Sequence, residues 1–327
     1  MEKIRFLFKA HKYVVKLWKE CKVLSSLTNV STLWFYIDFL FAYLKHGCSI
    51  DWYCKYFYRL SYPLRKNVLT HYRWKYLFNK YNKKEYIDIF QNKVLFNQKF
   101  LNYQNHKSLY IVNSSFDEFL EFIKISNTFI SKPIGEMQGI GIEKVYVTDN
   151  TDLKILYEEL KRKNVLLEEI VQSNPNVVFN NKSLNTIRVY TVLDKNGKPQ
   201  IIKTILRVGI GDSVVDNFHA GGVIYNVDIE SGRIINAGYN RDGLHFYHPG
   251  SDIFMLGYQL PNWNELIAYV KELVLVIPEC KIIGWDVALT TKGLDVIEGN
   301  HDPDSELIEL FGGEGRYYEI CKLLGEK

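Results

Sequence analysis

The sequence has no apolar run long enough to cross a bilayer. Its most hydrophobic early stretch, Leu33 to Leu44, is too short and contains Asp38. The opening Met1-Glu2-Lys3-Ile4-Arg5 lacks an apolar signal core. Together these predict a soluble, cytoplasmic protein that is not exported. Cysteine is sparse: Cys21, Cys48, Cys54, Cys280 and Cys321 are odd in number and lack metal-ligand spacing, which favours reduced thiols over a disulfide framework. Neither an internal repeat nor a low-complexity tract is present. Two nucleotide fingerprints are also missing. A Walker loop needs Gly-Lys-Ser/Thr followed by a helix, and a dinucleotide fold needs a third glycine opening a helix. His219 has no nucleophile beside it in sequence, so no catalytic dyad is legible.

What is present is a chain of 327 residues, 47% hydrophobic, enough for one large domain or two moderate ones. Aromatics reach 15%, with 23 Tyr and 19 Phe, which excludes disorder. The net charge of +4 hides an asymmetry: residues 1–90 hold 17 Lys/Arg against 6 Asp/Glu, and the remainder 24 against 31. A basic, aromatic segment joined to an acidic one implies a division of labour. Membrane surface, anionic glycan or nucleic acid would each suit the basic part, as would a plain solvated helical face.

Residues 1–90 read as helical, with Val14, Leu17, Trp18, Cys21 and Leu24 near helical spacing and a break at Ser61-Tyr62-Pro63. From about residue 93 the texture changes. A short helix starts at Lys93, a strand covers Ser108 to Val112, and Ser115-Phe116-Asp117-Glu118 opens a helix with a capping box. The strand Thr128 to Pro133 runs into Ile134-Gly135-Glu136-Met137-Gln138-Gly139-Ile140-Gly141-Ile142, and the β-rich Lys144 to Val147 follows. A glycine loop between two strands can fold over phosphates and offer backbone N–H groups, with Lys132 adding positive charge. It is equally what many hairpins carry. A helix from Thr151 to Lys163 precedes the strand Val165 to Val171, along whose edge a flat heterocycle can meet backbone groups. The strand Asn185 to Leu193 turns at Asn196-Gly197 into Gln200 to Val208. Arg188 and Arg207 sit on these strands, each facing an anion or a partner carboxylate. Asp216-Asn217-Phe218-His219-Ala220-Gly221-Gly222 is a binding loop at the mouth of a sheet or a plain connection. As a binding loop it would present Asp216, Asn217, His219 and Gly221 to substrate. A hairpin around Glu230-Ser231-Gly232 joins Ile224–Ile229 to Arg233–Ala237. Asn264 to Val276 is an amphipathic helix, and a last helix runs from about Gly315 to Leu324.

Between these last two helices lies the stretch Gly284 to Asn300. With Thr291-Lys292-Gly293 as a three-residue loop, Thr290 pairs with Leu294 and Asp286 falls opposite Glu298. Asn300 joins Glu298 on that face, while Trp285, Val287, Leu289 and Ile297 face the core. Two carboxylates facing each other repel unless a cation lies between them, and an all-oxygen set suits Mg²⁺ better than zinc. A surface hairpin with scattered acids is the plainer alternative.

The order of these parts resembles the ATP-grasp superfamily: a lysine after the N-terminal region, a Lys-Pro strand ending in a glycine loop, a Glu-Glu-Ile-Val strand, an arginine strand and a final Asp…Glu-x-Asn hairpin. Leu184-Asn185-Thr186-Ile187-Arg188, Asp216 to Gly222, His248-Pro249 and Gly284-Trp285-Asp286 are similar, more narrowly, to the sugar-transfer-associated ATP-grasp group, which is linked to bacterial surface polysaccharide synthesis. The likeness covers roughly residues 90 to 310. It implies an α+β class ATP-grasp fold, two α+β lobes clamping ATP, preceded by a helical N-terminal region. Residues 1–90 would be that region and 91–327 the ATP-grasp domain, with 91–172 the nucleotide lobe and 173–327 the metal and acceptor lobe. By the same analogy Lys93 and Lys132 contact phosphates or the adenine side, and Gly135, Gln138, Gly139, Gly141 and Ile142 cover the phosphates. Glu168, Glu169, Ile170 and Val171 serve the adenine edge. Asp286, Glu298 and Asn300 hold Mg²⁺, or Mn²⁺ in its place. Arg188 or Arg207 faces the γ-phosphate or an acyl phosphate, with Lys132 as a further catalytic charge. One departure stands out: ATP-grasp ligases often carry an arginine two residues before the first metal aspartate, and here that position is Gly284.

The resemblance implies an ATP-dependent carboxylate–amine ligase acting on a small-molecule acid and an amine or glycan precursor, with no nucleic acid as partner. An ATP-dependent phosphotransferase acting on a sugar hydroxyl is the alternative, and a non-catalytic glycan- or membrane-binding protein is the third reading. Basic residues among Trp and Tyr in residues 1–90 suit a peripheral contact with the inner membrane face.

Overall fold

A computed structural model of the chain describes residues 2–135, 141–179, 183–211, 221–240, 242–248, 250–309 and 315–326, with side chains from residue 12 onward. In chain order the helices are α1 (Glu2–Thr28), α2 (Thr32–His46), α3 (Ile50–Lys55), α4 (Tyr62–Asn67), α5 (His71–Tyr81), α6 (Lys84–Gln91), α7 (Lys93–Phe100), α8 (Phe116–Ile125), α9 (Leu153–Lys163), α10 (Trp263–Val276), α11 (Glu306–Glu309) and α12 (Tyr317–Leu324). The strands are β1 (Ser108–Tyr110), β2 (Thr128–Pro133), β3 (Glu143–Tyr146), β4 (Val165–Glu169), β5 (Thr186–Leu193), β6 (Pro199–Val208), β7 (Val223–Val227), β8 (Gly238–Asn240), β9 (Gly243–His245), β10 (Ile282–Thr290) and β11 (Gly293–Asn300).

Contacts divide the chain into two compact units, residues 1–80 with 304–327, and residues 81–303. The change of sequence texture near residue 90 therefore falls inside the second unit. The reason is that α6 and α7, helical though they are, pack their phenylalanines beneath β10 and β11.

In the first unit Leu17, Cys21 and Leu24 of α1 are buried with Phe35, Phe39 and Ala42 of α2. Val14 and Trp18, which share their helical spacing, stay exposed. Asp38 of α2 turns inward, where Arg65 donates to it at 2.6 Å and the Tyr53 hydroxyl at 2.7 Å. Pro63 stands in the first turn of α4, where a missing N–H costs no helical bond. The C-terminal segment is tied in by the buried Glu309, which accepts from the backbone N–H of Leu69 at 2.7 Å and of Arg316 at 3.2 Å.

The second unit holds two antiparallel sheets. One has four strands in the order β1-β4-β2-β3. Phe119 and Phe122 of α8 and Tyr157 and Leu160 of α9 pack with its Phe129 and Leu167. The capping box at Ser115 forms as the sequence predicts, with Glu118. The next helix begins at Leu153 rather than Thr151, because the Asp152 side chain accepts from the N–H groups of Lys154 and Ile155 and caps it. The other sheet has seven strands, ordered β11-β10-β5-β6-β7-β8-β9. Its inner face carries Val189, Leu206, Tyr225, Trp285 and Val287, packed with Leu266, Val270 and Leu273 of α10 and Phe96 and Phe100 of α7. The predicted return segment Arg233–Ala237 folds back on β7 without becoming a regular strand. Asp228 N–H donates to Arg233 and Ile235 N–H to Asn226 about the Val227–Ile234 bridge, while Ile234 exchanges bonds with Gly257 and Tyr258, and β8 then pairs with β7.

Trp285 is fully buried, 5.4 Å from the ring of Phe100 and 6.0 Å from that of Phe90. Trp285→Ala is expected to cost about 3–5 kcal/mol of stability. Urea unfolding followed by far-UV circular dichroism would show the lowered midpoint.

Candidate active site

The β10–β11 hairpin sets the first cluster. Its tip is one residue tighter than the sequence count: Thr290 pairs with Gly293, not Leu294, leaving Thr291-Lys292 as the loop. Gly293 has φ of +111°, which a side-chain-bearing residue rarely adopts. A one-residue slip would put Asp286 and Glu298 out of step, but a β-bulge between Asp286 and Val287 restores the register, so Asp286 does pair with Glu298. The bulge also exchanges core residues. Val296 is fully buried and Ile297 only half-buried, where Ile297 was the expected core side chain.

On that face Asp286 is buried and gripped by two guanidinium groups. Arg188, directly opposite on β5, donates through Nε to Oδ1 and through Nη2 to Oδ2 at 2.8 Å. Arg207, on β6, donates through Nη1 to Oδ2 at 2.6 Å. Both arginines thus face a carboxylate, but a buried one. Burial alone would raise the Asp286 pKa; the charges of Arg188 and Arg207 outweigh it and hold the carboxyl well below its usual range. Glu298 hydrogen-bonds Asp286 and is pushed the other way, by loss of solvation on the side that meets the sheet and by the Asp286 charge, while the rest of its side chain, 53% exposed, stays open to water. Its Oε1 accepts from the Asn300 amide at 3.1 Å and lies 3.8 Å from Arg188 Nη2. Two carboxyl groups this close repel unless positive charge lies beside or between them, as Arg188 and Arg207 do here and a bound cation would do further. Among the described residues no three His, Cys, Asp or Glu side chains form a metal cluster. The set here is two carboxylates and one amide, all hard oxygen donors, and it fits a divalent cation of the Mg²⁺ type.

Gly284 explains its own departure from the expected arginine. A Cβ there would lie 2.7 Å from Pro303 Cβ and 3.4 Å from Arg188 Cδ. The space beside the carboxylates is already filled by Arg188, reaching in from the neighbouring strand.

A second cluster lies in the four-stranded sheet. Lys132 of β2 forms an ion pair with Glu168 of β4, whose side chain is only 9% exposed. His106 stands 3.9 Å from Glu168, and its Nδ1 is 2.8 Å from Asp295 of β11. Glu168, expected along the adenine edge, is thus buried within this network. Burial would raise its pKa, yet Lys132 and His106 together bring it down. Glu169 accepts from Lys292 of the hairpin loop at 2.7 Å and from the Lys107 N–H at 3.2 Å. Thr291 N–H donates to Gln172 and Asn174 N–H to Leu289, so the segment after β4 lies along the hairpin tip. Glu169, Ile170, Val171, Thr290 and Lys292 line a cavity of about 130 Å³ there.

Lys93 Nζ donates to the Pro133 carbonyl at 2.9 Å, which brings both predicted lysines to the end of β2. β2 and β3 pair across the glycine loop, Gly135 and Gly141 both having positive φ, while Ile142 leads into β3. Gln138 and Gly139 lie outside the described residues, as do Asp216, Asn217 and His219. Gly221 is in the turn before β7, and its carbonyl accepts from Asn240. Sequence reasoning missed His106, Asp295, Lys292 and Asn97, whose side chain hydrogen-bonds Glu168. Asp295 was on the predicted hairpin, but nothing in Asn105-His106-Lys107 marked the histidine as its partner.

His106 titrates above an ordinary histidine. Burial opposes the charged ring and Lys132 works the same way, but the Asp295 hydrogen bond and the Glu168 charge prevail. A raised histidine pKa adds stability that is complete below the unfolded value and lost as pH rises through the folded one. Wild-type stability is thus expected to fall from pH 6 to pH 9, and His106→Gln to flatten that slope; urea titrations at both pH values measure it.

The family model described as sugar-transfer associated ATP-grasp matches residues 72–322. No curated protein matches the chain. Among solved structures it is similar to the ATP-grasp ligase PsnB complexed with a phosphomimetic variant of its minimal precursor, Mg and ADP, at 15% identity over 74% of this chain and 60% of that one, with a TM-score of 0.46. It is also similar to the ADP complex of purK, an N5-carboxyaminoimidazole ribonucleotide synthetase, at 10% over 72% and 52%, TM-score 0.45. D-alanyl-alanine synthetase A from Vibrio cholerae O1 matches at 13% over 72% and 65%, TM-score 0.42. The chain spans about six-tenths of the length of the PsnB chains it matches. With the family model covering most of its length, the chain belongs to the sugar-transfer associated ATP-grasp family.

Proposed function

We propose that the protein is an ATP-dependent ligase that joins a carboxylate to an amine through an acyl phosphate. The observation that carries this reading is the face shared by Asp286, Glu298 and Asn300, backed by Arg188 and Arg207. Asp286, Glu298 and Asn300 would hold Mg²⁺, with Mn²⁺ as a substitute; bound there, the ion neutralises phosphate charge and orients the transferring group. Arg188 and Arg207, held charged beside Asp286, stand where a phosphoryl or acyl-phosphate anion would need donors. Lys132 and Lys93, both at the end of β2, suit the phosphates approached by the loop from Gly135 to Ile142. The backbone from Glu169 to Val171 suits the adenine edge. Asp216, Asn217, His219 and Gly221 are the proposed acceptor loop.

In this scheme a carboxylate oxygen attacks the γ-phosphorus and ADP leaves. The amine then attacks the acyl carbon, phosphate leaves, and the amine proton passes to solvent. The protein supplies position and charge rather than a nucleophile, which accords with the lack of a nucleophile–base pair in the sequence. The family's association with sugar transfer supports a surface-polysaccharide precursor as one substrate, carrying either the acid or the amine, in the cytoplasm where ATP is available.

Incubation with ATP, Mg²⁺ and a panel of amino acids, amino sugars and sugar acids should release phosphate and yield an amide by mass. A phosphorylated sugar without phosphate release would instead establish a phosphotransferase. Glu298→Gln is expected to lower kcat roughly 10²–10³-fold, the cost of losing one transition-state stabiliser.

A further inference from the structure

Helix α2 has two apolar faces, and the fold uses one. Phe35, Phe39 and Ala42 enter the core of the first unit. Leu33, Ile37, Leu40, Phe41 and Leu44 do not: they are 57%, 57%, 40%, 58% and 80% exposed. At about 100° per residue these five positions form a stripe roughly 100° wide, opposite the buried one. Trp34, 48% exposed, flanks it. The helix has one acid, Asp38, and that side chain is turned inward to Arg65 and Tyr53. So the outward face carries no negative charge.

At the C-terminal end of the stripe is a basic rim. Lys45 lies 5.5 Å from the Phe41 ring and 5.2 Å from the Tyr62 ring, and it donates to the Tyr62 hydroxyl at 2.7 Å. Lys66 approaches the same ring at 4.8 Å. Among the described residues no carboxylate forms an ion pair with either lysine. At 15 residues α2 is too short to span a bilayer, and no helix of the described chain is long and apolar enough to do so.

We infer that α2 docks the protein on an anionic lipid surface, its apolar stripe lying in the interface and Lys45 and Lys66 meeting headgroup phosphates. An apolar stripe bordered by aromatic rings and by lysines free of acidic partners is what an anionic interface complements. A second copy packed through this stripe would offer the lysines no carboxylate, since the outward face of α2 carries none. The contact differs from a basic helical face, since the lysines of α1 are not its centre: Lys16, for instance, is already paired with Asp51 at 2.9 Å. Docking here is independent of the proposed ligase chemistry, because it needs neither nucleotide nor acceptor.

The test is flotation of the full-length protein with vesicles of phosphatidylcholine alone or mixed with phosphatidylglycerol, without nucleotide. Wild type should float with the mixed vesicles. Ile37→Glu/Phe41→Glu should lower that partitioning tenfold or more, and Lys45→Glu/Lys66→Glu by roughly thirtyfold on mixed vesicles. Far-UV circular dichroism confirms that both variants keep wild-type helix content, as substitutions at exposed positions should. The inference is overturned if wild type stays in the soluble fraction at every composition, or if the Ile37→Glu/Phe41→Glu protein floats like wild type. It is overturned equally if wild type sediments as a lipid-free dimer that Phe41→Glu dissociates, which would assign the face to a second copy.

Discussion

The Asp286 carboxylate is the point on which the candidate active site depends. It is buried, so it stays ionised only because two guanidinium groups compensate it. Each arginine comes from a different strand, and each reaches Asp286 only because β10, β5 and β6 are adjacent. Arg188 is itself buried and held charged by the same contact, although a guanidinium loses its charge with difficulty anywhere. The arrangement is mutual: removing any one member leaves the others as uncompensated charge in a low-dielectric place. Glu298 and Asn300 then complete an oxygen-rich edge that faces outward from the sheet. A rigid, buried inner group and a more exposed outer one suit the proposed cation site, from which products would have to leave.

The second cluster transmits the same logic across the unit. Lys132, Glu168, His106 and Asp295 alternate in sign and connect β2, β4, the segment before β1 and β11. Lys292 and Glu169 add a more solvated link between the hairpin loop and the end of β4. The hairpin that presents Asp286 and Glu298 is therefore tied, at its other end, to the strand proposed to meet the nucleotide base. Position in the two clusters is coupled through one pair of strands, β10 and β11. The first unit shows a contrasting economy of charge. Its Asp38 is spent inward on Arg65 and Tyr53, which leaves the outer surface of α2 purely apolar and basic.

Much of this was legible in order along the chain. Strand alternation around Asp286 and Glu298, the capping box at Ser115, the turn at Asn196-Gly197 and the helix ending at Val276 depend on neighbours within a few residues, and local spacing decides them. The opposition of Asp286 and Glu298 was reached by a count that differed from the true register. A loop one residue shorter and a bulge at Ile297 offset each other, and the bulge turns Val296 rather than Ile297 into the core shared with Phe96 and Phe100.

The chain's own residues determined its alternating strands, its glycine turns, its lack of a nucleophile pair and the apolar composition of α2, all of which follow from local backbone and side-chain chemistry. Only the tertiary structure decided that Arg188 and Arg207 converge on Asp286, that Arg188 fills the space left by Gly284, and that His106 reaches Asp295 from almost two hundred positions away. It likewise decided which side of α2 stays uncovered. The physical reason is common to all four: charge compensation and burial depend on distance in space, and sequence records only distance along the chain.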